Sequence, residues 1–108
     1  MPTVLVVDDS AVDRRFVGGI LGRDGRFQVE FAEDGAEALA KMRQTPPDVI
    51  VTDLSMPALS GLDVLGKLKD EHIDSKVVVL TMHNDGERAT QALKAGASAF
   101  LLKESAGE

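Results

Sequence analysis

The stretch Thr3-Val4-Leu5-Val6-Val7-Asp8-Asp9 decides the fold, because a short, nearly unbroken apolar run delivers two carboxylates at its carboxyl end. Three further runs repeat the pattern: residues 48–52 end in Asp53, 76–80 in Thr81 and 99–102 in Lys103. Continuous rather than alternating apolar residues fit strands of a parallel sheet buried on both faces. Ligands of open parallel sheets sit in the crevice just outside the carboxyl ends of the strands. Asp8, Asp9, Asp53, Thr81 and Lys103 are therefore expected to face one crevice.

The segments between these runs read as helices. Ser10 is placed to cap a helix over 11–22, with Val12, Phe16, Val17, Ile20 and Leu21 at helical spacing and Gly18 and Gly19 weakening it locally. A further strand over 28–32 follows. Asp34 with Glu37 resembles a capping box opening a helix whose apolar side is Ala36, Leu39, Ala40 and Met42, and Pro46 and Pro47 stop it. After Asp53 comes a loop over 54–59, and Ser60 caps a helix carrying Leu62, Leu65 and Leu68. A fourth helix near 85–95 ends at Gly96, a residue suited to the left-handed conformation.

Strands alternating with helices imply right-handed crossover units. The expected fold is an α/β doubly wound sheet of five parallel strands in the flavodoxin-like order 2-1-3-4-5, with a switch point between the first and third strands. That order sets Asp8, Asp9 and Asp53 side by side, with Thr81 and Lys103 flanking.

The 108 residues make one domain, 1–108, and the formal charge of -6 argues against nucleic acid or an anionic membrane as partner of this segment. The absence of cysteine excludes a disulfide framework and a thiolate metal site. No leader pattern opens the sequence and no apolar run nears the roughly 18 residues of a membrane span, so a soluble, cytoplasmic protein is expected.

Three converging carboxylates repel, each pair by on the order of 4 kcal/mol at 4 Å and an effective dielectric near 20. A cation is expected among them. With oxygen ligands alone, the chemistry points to Mg2+, with Mn2+ as the alternative. One carboxylate, Asp53 at the central strand end, is then the candidate nucleophile toward phosphorus, giving an acyl phosphate whose oxygens Lys103 and Thr81 hold. The Ser55 carbonyl could complete the metal shell. Singly, each residue has a plain role: a cap, a turn, a strand end, a solvated charge. Those roles do not explain why all five share one end of the sheet. His72 and His83 lack partners at ligand spacing and read as surface residues, and Arg14-Arg15 reads as a solvated helix face.

The ordered set V-L-V-V-D-D-S (4–10), V-T-D-L-S-M-P-A-L-S-G (51–61), V-L-T-M-H-N-D (79–85) and A-G-A-S-A-F-L-L-K (95–103) resembles the receiver domain of two-component response regulators over essentially the whole chain. The resemblance implies a phosphorylation-controlled switch, not an enzyme with an external substrate, in which Asp53 accepts a phosphoryl group from a phosphohistidine on a sensor kinase or phosphotransfer protein. It implies Asp9 as a direct Mg2+ ligand, Asp8 acting mainly through water, the Ser55 carbonyl as a further ligand and Lys103 bridging to the phosphoryl oxygens. Thr81 would move toward the phosphoryl group and Phe100 would turn inward behind it. Ser55 and His83 would flank the path of the attacking water. Met82 stands where the family usually has a small residue, and Glu104 where proline usually follows the lysine. T-M-H-N-D with L-L-K is similar to regulators carrying a helix-turn-helix DNA-binding output domain.

Two other functions compete. A phosphohydrolase forming an aspartyl phosphate usually has a second aspartate where Ser55 stands, and a flavin module would want an aromatic stack that a chain without Tyr or Trp lacks. A receiver-like module that is never phosphorylated has little support, since every acidic and basic site residue is present. Five residues follow Lys103, too few for the fifth helix with which the family normally ends. A sheet strip beside the first helix is accordingly expected to be exposed, with the domain truncated at its C-terminus or the strip covered by a second copy in a homodimer.

Overall fold

The computed structural model describes residues 2–53, 61–81 and 86–102. Five strands, β1 (Thr3–Val7), β2 (Gln28–Ala32), β3 (Val49–Asp53), β4 (Lys76–Thr81) and β5 (Ala99–Leu102), form one parallel sheet in the order β2-β1-β3-β4-β5. The helices are α1 (Ala11–Asp24), α2 (Gly35–Gln44), α3 (Gly61–Asp70) and α4 (Gly86–Lys94). This is the expected doubly wound sheet. β3 runs one residue later than the sequence suggests, and Asp48, just before it, accepts the Thr3 N–H on its side chain at 2.8 Å and donates its own N–H to Thr3 O at 3.0 Å.

Side chains alternate across each strand, and both faces are apolar. On one face Leu5, Val7, Ile50, Val77 and Val79 pack with Leu39 and Met42 of α2, Val64, Leu65 and Leu68 of α3, and Ala92 of α4. On the other, Val4, Val6, Val51 and Leu80 meet Val17 and Leu21 of α1. Three helices thus cover the first face and, among the described residues, one covers the second. On that second face Val49 and Val78 are half-buried and Leu101, in register with Leu80, is 51% exposed.

Helix faces are where the sequence reading needs correction. Val12, Phe16 and Ile20 are exposed at 73%, 45% and 43%, so the row of apolar residues four apart does not face the sheet. The contact face of α1 centres on buried Gly18, where an added Cβ would lie 2.5 Å from Cζ of Phe31 on β2. In α2 the buried set is Gly35, Ala38, Leu39 and Met42, spaced i, i+3, i+4, i+7, while Ala36 and Ala40 are exposed. In α3, Val64 joins Leu65 and Leu68; Ser60 lies outside the described residues, as does the side chain of Leu62.

The helix ends follow cap chemistry. Ser10 Oγ accepts the Asp13 N–H at 3.3 Å, as its position suggests. Asp34 Oδ1 accepts the Glu37 N–H at 2.8 Å, and the Glu37 carboxylate returns to the N–H of Glu33, one residue earlier than in a capping box. α1 passes through Gly22 and stops at Gly25, whose φ of 74° is left-handed. α4 is followed by Gly96 at φ 117°. Arg43 of α2 and Glu71 just past α3 form a two-point pair at 2.7 and 2.6 Å. Hydrogen bonding to the guanidinium holds the Glu71 carboxyl below its ordinary range, but at an exposed site the pair adds little stability.

The glycines give a direct stability test. Gly19 lies in helix with nothing within 4 Å of the place a Cβ would take. Gly19→Ala should raise stability by about 0.5–1 kcal/mol in urea titration. Gly96→Ala should lower it by about 1 kcal/mol or more, since a side chain is strained at its φ.

Candidate functional site

Register builds the site. Val7 pairs with Ala32 on one side and Thr52 on the other, so Asp8, the next residue, is carried to the side of Asp53. β4 pairs Leu80 with Asp53, which sets Thr81 one step beyond it on the adjoining strand. One carboxylate oxygen from each of Asp8, Asp9 and Asp53 lies within 4.8 Å of the others, as the spacing and topology predict. Asp8 is fully buried, Asp53 is 6% and Thr81 2% exposed, and Asp9 is exposed.

The backbone around the acids is tied down. Asp8 N–H donates to Ala32 O at 3.2 Å, and Asp8 Oδ1 accepts the Ser10 N–H at 3.0 Å. Thr52 Oγ1 donates to the Asp53 carbonyl at 3.2 Å. α1 begins at Ala11, so the positive end of its dipole starts two residues past Asp9 and favours negative charge there.

Arg14 departs from the sequence reading. Its side chain is only 16% exposed, Nη1 donates to the Asp8 carbonyl at 2.6 Å, and Nη2 lies 3.8 Å from Glu33 Oε1. Position 14 shares the inward face of α1 with Val17, Gly18 and Leu21, a periodicity that could have separated it from exposed Arg15. His72 is exposed, as expected. Phe100 is 41% exposed and pairs in register with Val79; since Val79 and Thr81 point to one side, Phe100 and Thr81 share the α4 face. Ser55, Met82, His83 and Lys103 lie outside the described residues.

A cluster of hard oxygen donors, most of it removed from water, fits a small divalent cation and no soft metal. The comparisons agree with the sheet. Residues 4–108 match the family model of the response regulator receiver domain. The chain belongs to that family. It is 37% identical over 102 residues to the transcriptional regulatory protein DegU of Brevibacillus brevis, covering 94% of this chain and 43% of DegU. It is 38% identical over 104 residues to a protein-glutamate methylesterase/protein-glutamine glutaminase of Syntrophomonas wolfei, covering 94% of this chain and 30% of the relative. The receiver domain of Francisella response regulator 1452 superimposes with a TM-score of 0.87 at 33% identity, over 96% of this chain and 85% of that one. The chain spans less than half the length of these two curated relatives. As a receiver domain it is a signalling module of two-component systems, and no helix among the described residues is long and apolar enough to cross a membrane.

If the acids repel as their separation requires, relieving the charge stabilises the fold. Asp53→Asn without metal, and millimolar Mg2+ on the unaltered chain, should each raise the thermal midpoint at low ionic strength by roughly 4–8 °C, equivalent to about 1 kcal/mol. Calorimetry showing neither shift would mean that the cluster carries little mutual repulsion.

Proposed function

We propose that this receiver domain accepts a phosphoryl group on Asp53 from a phosphohistidine of a sensor kinase or phosphotransfer protein, in a Mg2+-dependent reaction. The observation that supports it is the placement of Asp53, at the end of the central strand β3, buried to 6% exposure and grouped with two further carboxylates. A bare triad of acids would repel an incoming phosphate. Asp8, Asp9, Asp53 and the Ser55 carbonyl would hold Mg2+, or Mn2+ in its place, and the ion supplies charge neutralisation at the phosphoryl oxygens. An Asp53 carboxylate oxygen attacks phosphorus, the P–N bond to the donor imidazole breaks, and the imidazole leaves with the bonding pair as the aspartyl phosphate forms. Lys103 would bind the phosphoryl oxygens. Thr81, buried at the end of β4, would donate its hydroxyl to them.

Thr81 and Phe100 lie on the α4 face of β4 and β5, so the reading makes them the switch: hydroxyl displacement at one, ring rotation at the other. The domain would process only its own phosphoryl group, in the cytoplasm. The switch would control an output domain or a partner. Relatives named as a transcriptional regulator and as a methylesterase carry the same module, and the likeness of residues 81–85 to regulators with a helix-turn-helix domain favours a DNA-binding output here. Leu101, exposed on the sheet face that α1 covers, supports association with a second copy.

An acyl phosphate donor with Mg2+ should add one phosphoryl group, mapped by peptide mass to Asp53, and chelation or Asp53→Asn should abolish it. Label at another residue would overturn the reading. Exchanging the side chains at Ser55, Met82 or His83 should leave the site of labelling unchanged and alter the decay of the phosphoryl group by about tenfold, or roughly 1.4 kcal/mol of barrier. Decay curves that superimpose on the native one would remove these residues from the site.

A further inference from the structure

We infer that Arg14 is a positioning residue that sets the direction of the Asp9 carboxylate, and that cation affinity at the acid cluster depends on it. The inference rests on the proposed cation site. Asp9 is exposed, so packing does not fix its side chain and its direction must come from the backbone. The Asp8 carbonyl and the Asp9 N–H belong to one planar peptide unit. Whatever holds that carbonyl therefore holds the plane from which the Asp9 Cα–Cβ bond departs. Arg14 Nη1 holds it at 2.6 Å, a short, charge-assisted bond from a largely buried guanidinium.

The anchor is itself braced. The Arg14 backbone N–H donates to Ser10 O at 3.0 Å, in the first turn of α1, so the stem of the side chain rises from a capped helix end. On the far side Nη2 is 3.8 Å from Glu33, whose own N–H is held by the Glu37 carboxylate at the start of α2. One guanidinium thus links the loop after β1 to the loop after the adjacent strand β2.

Electrostatics and positioning predict opposite signs, which makes the inference decidable. A guanidinium near the acids repels Mg2+, so by charge alone Arg14→Met should tighten cation binding. If Arg14 orients a ligand, the same change loosens it. Titration calorimetry with Mg2+ on the full chain, at a temperature where circular dichroism shows each variant folded, reads the difference. Arg14→Met should bind Mg2+ about tenfold more weakly, in the range for loss of a partner that orients a metal ligand. Arg14→Lys keeps the charge and one donor and should fall between Arg14→Met and the native chain. Arg15→Met, which removes the same charge from the exposed neighbour, should bind as tightly as the native chain or more so. Native or tighter affinity in Arg14→Met would overturn the inference and leave the cation site standing. Should Arg14→Met not fold, native affinity in Arg14→Lys would overturn it alone. Absence of Mg2+ binding by the unaltered chain would overturn the cation site and this inference together.

Discussion

Everything at the working end of this domain depends on the in-register pairing of β1 with β3. Val7 opposite Thr52 leaves no freedom in where the next two acids fall: Asp8 and Asp53 must sit side by side. Their repulsion cannot relax by sliding the strands, because a slip of one residue would turn every apolar side chain to the opposite face. The apolar layers on both faces, Leu5 and Ile50 on one and Val6 and Val51 on the other, therefore fix an electrostatically unfavourable cluster in place. A cluster of that kind is responsive. Any event that neutralises it shifts the free energy of the state in which it is neutralised, and a two-state element that senses the cluster is biased by the difference in that shift between its two states.

The two faces of the sheet are built differently, and the difference bears on how such a bias could spread. On the face covered by α2, α3 and α4, buried side chains from Leu5 to Ala97 form one cluster, with exposed Phe100 on the same face. The opposite face is thinner, resting on Val17 and Leu21 of α1 and on half-buried Val29, Val49 and Val78. Thr81 and Phe100 project toward the first of these, next to α4, whose inward side is only Ala89 and Ala92. Small residues leave α4 with little interdigitation to resist a shift. A displacement at the end of β4 would thus meet its weakest opposition at α4, the element beside which the half-exposed Phe100 ring lies.

The strands and their order were legible because burial on both faces writes itself as unbroken Val, Ile and Leu, and because the residues ending each run share one chemistry. The acid triad followed from that order. The orientation of helices was less legible. In α1 the apolar set is Val12, Phe16, Val17, Ile20 and Leu21, of which Val17 and Leu21 do pack on the sheet, while the contact face between them includes Gly18, whose missing side chain makes room for Phe31. Close packing through an absent atom has no hydrophobic signature, so propensity rules read that glycine only as a weakness. Arg14 was obscured in a similar way. Beside Arg15 it looked like one half of a charged surface pair, yet the two project about 100° apart on a helix, and only one reaches the loop after β1.

That loop also explains why two adjacent aspartates need not do the same work. Asp8, directly after β1, is fully buried and has its N–H, one carboxylate oxygen and its carbonyl bonded to Ala32, Ser10 and Arg14. Asp9, one residue on, is exposed. On the proposed reading, a cation arriving from solvent would meet Asp9 first, and this carboxylate would exchange water for metal at little desolvation cost because it is exposed. Asp8, already stripped of water by the fold, adds a fixed charge whose field is felt strongly in a low-dielectric surrounding. The difference in exposure arises because Asp9 lies one residue further past the end of β1, beyond the cover that both sheet faces give Val7 and Asp8. On that reading the orientation of the second aspartate would be the variable that the neighbouring backbone controls.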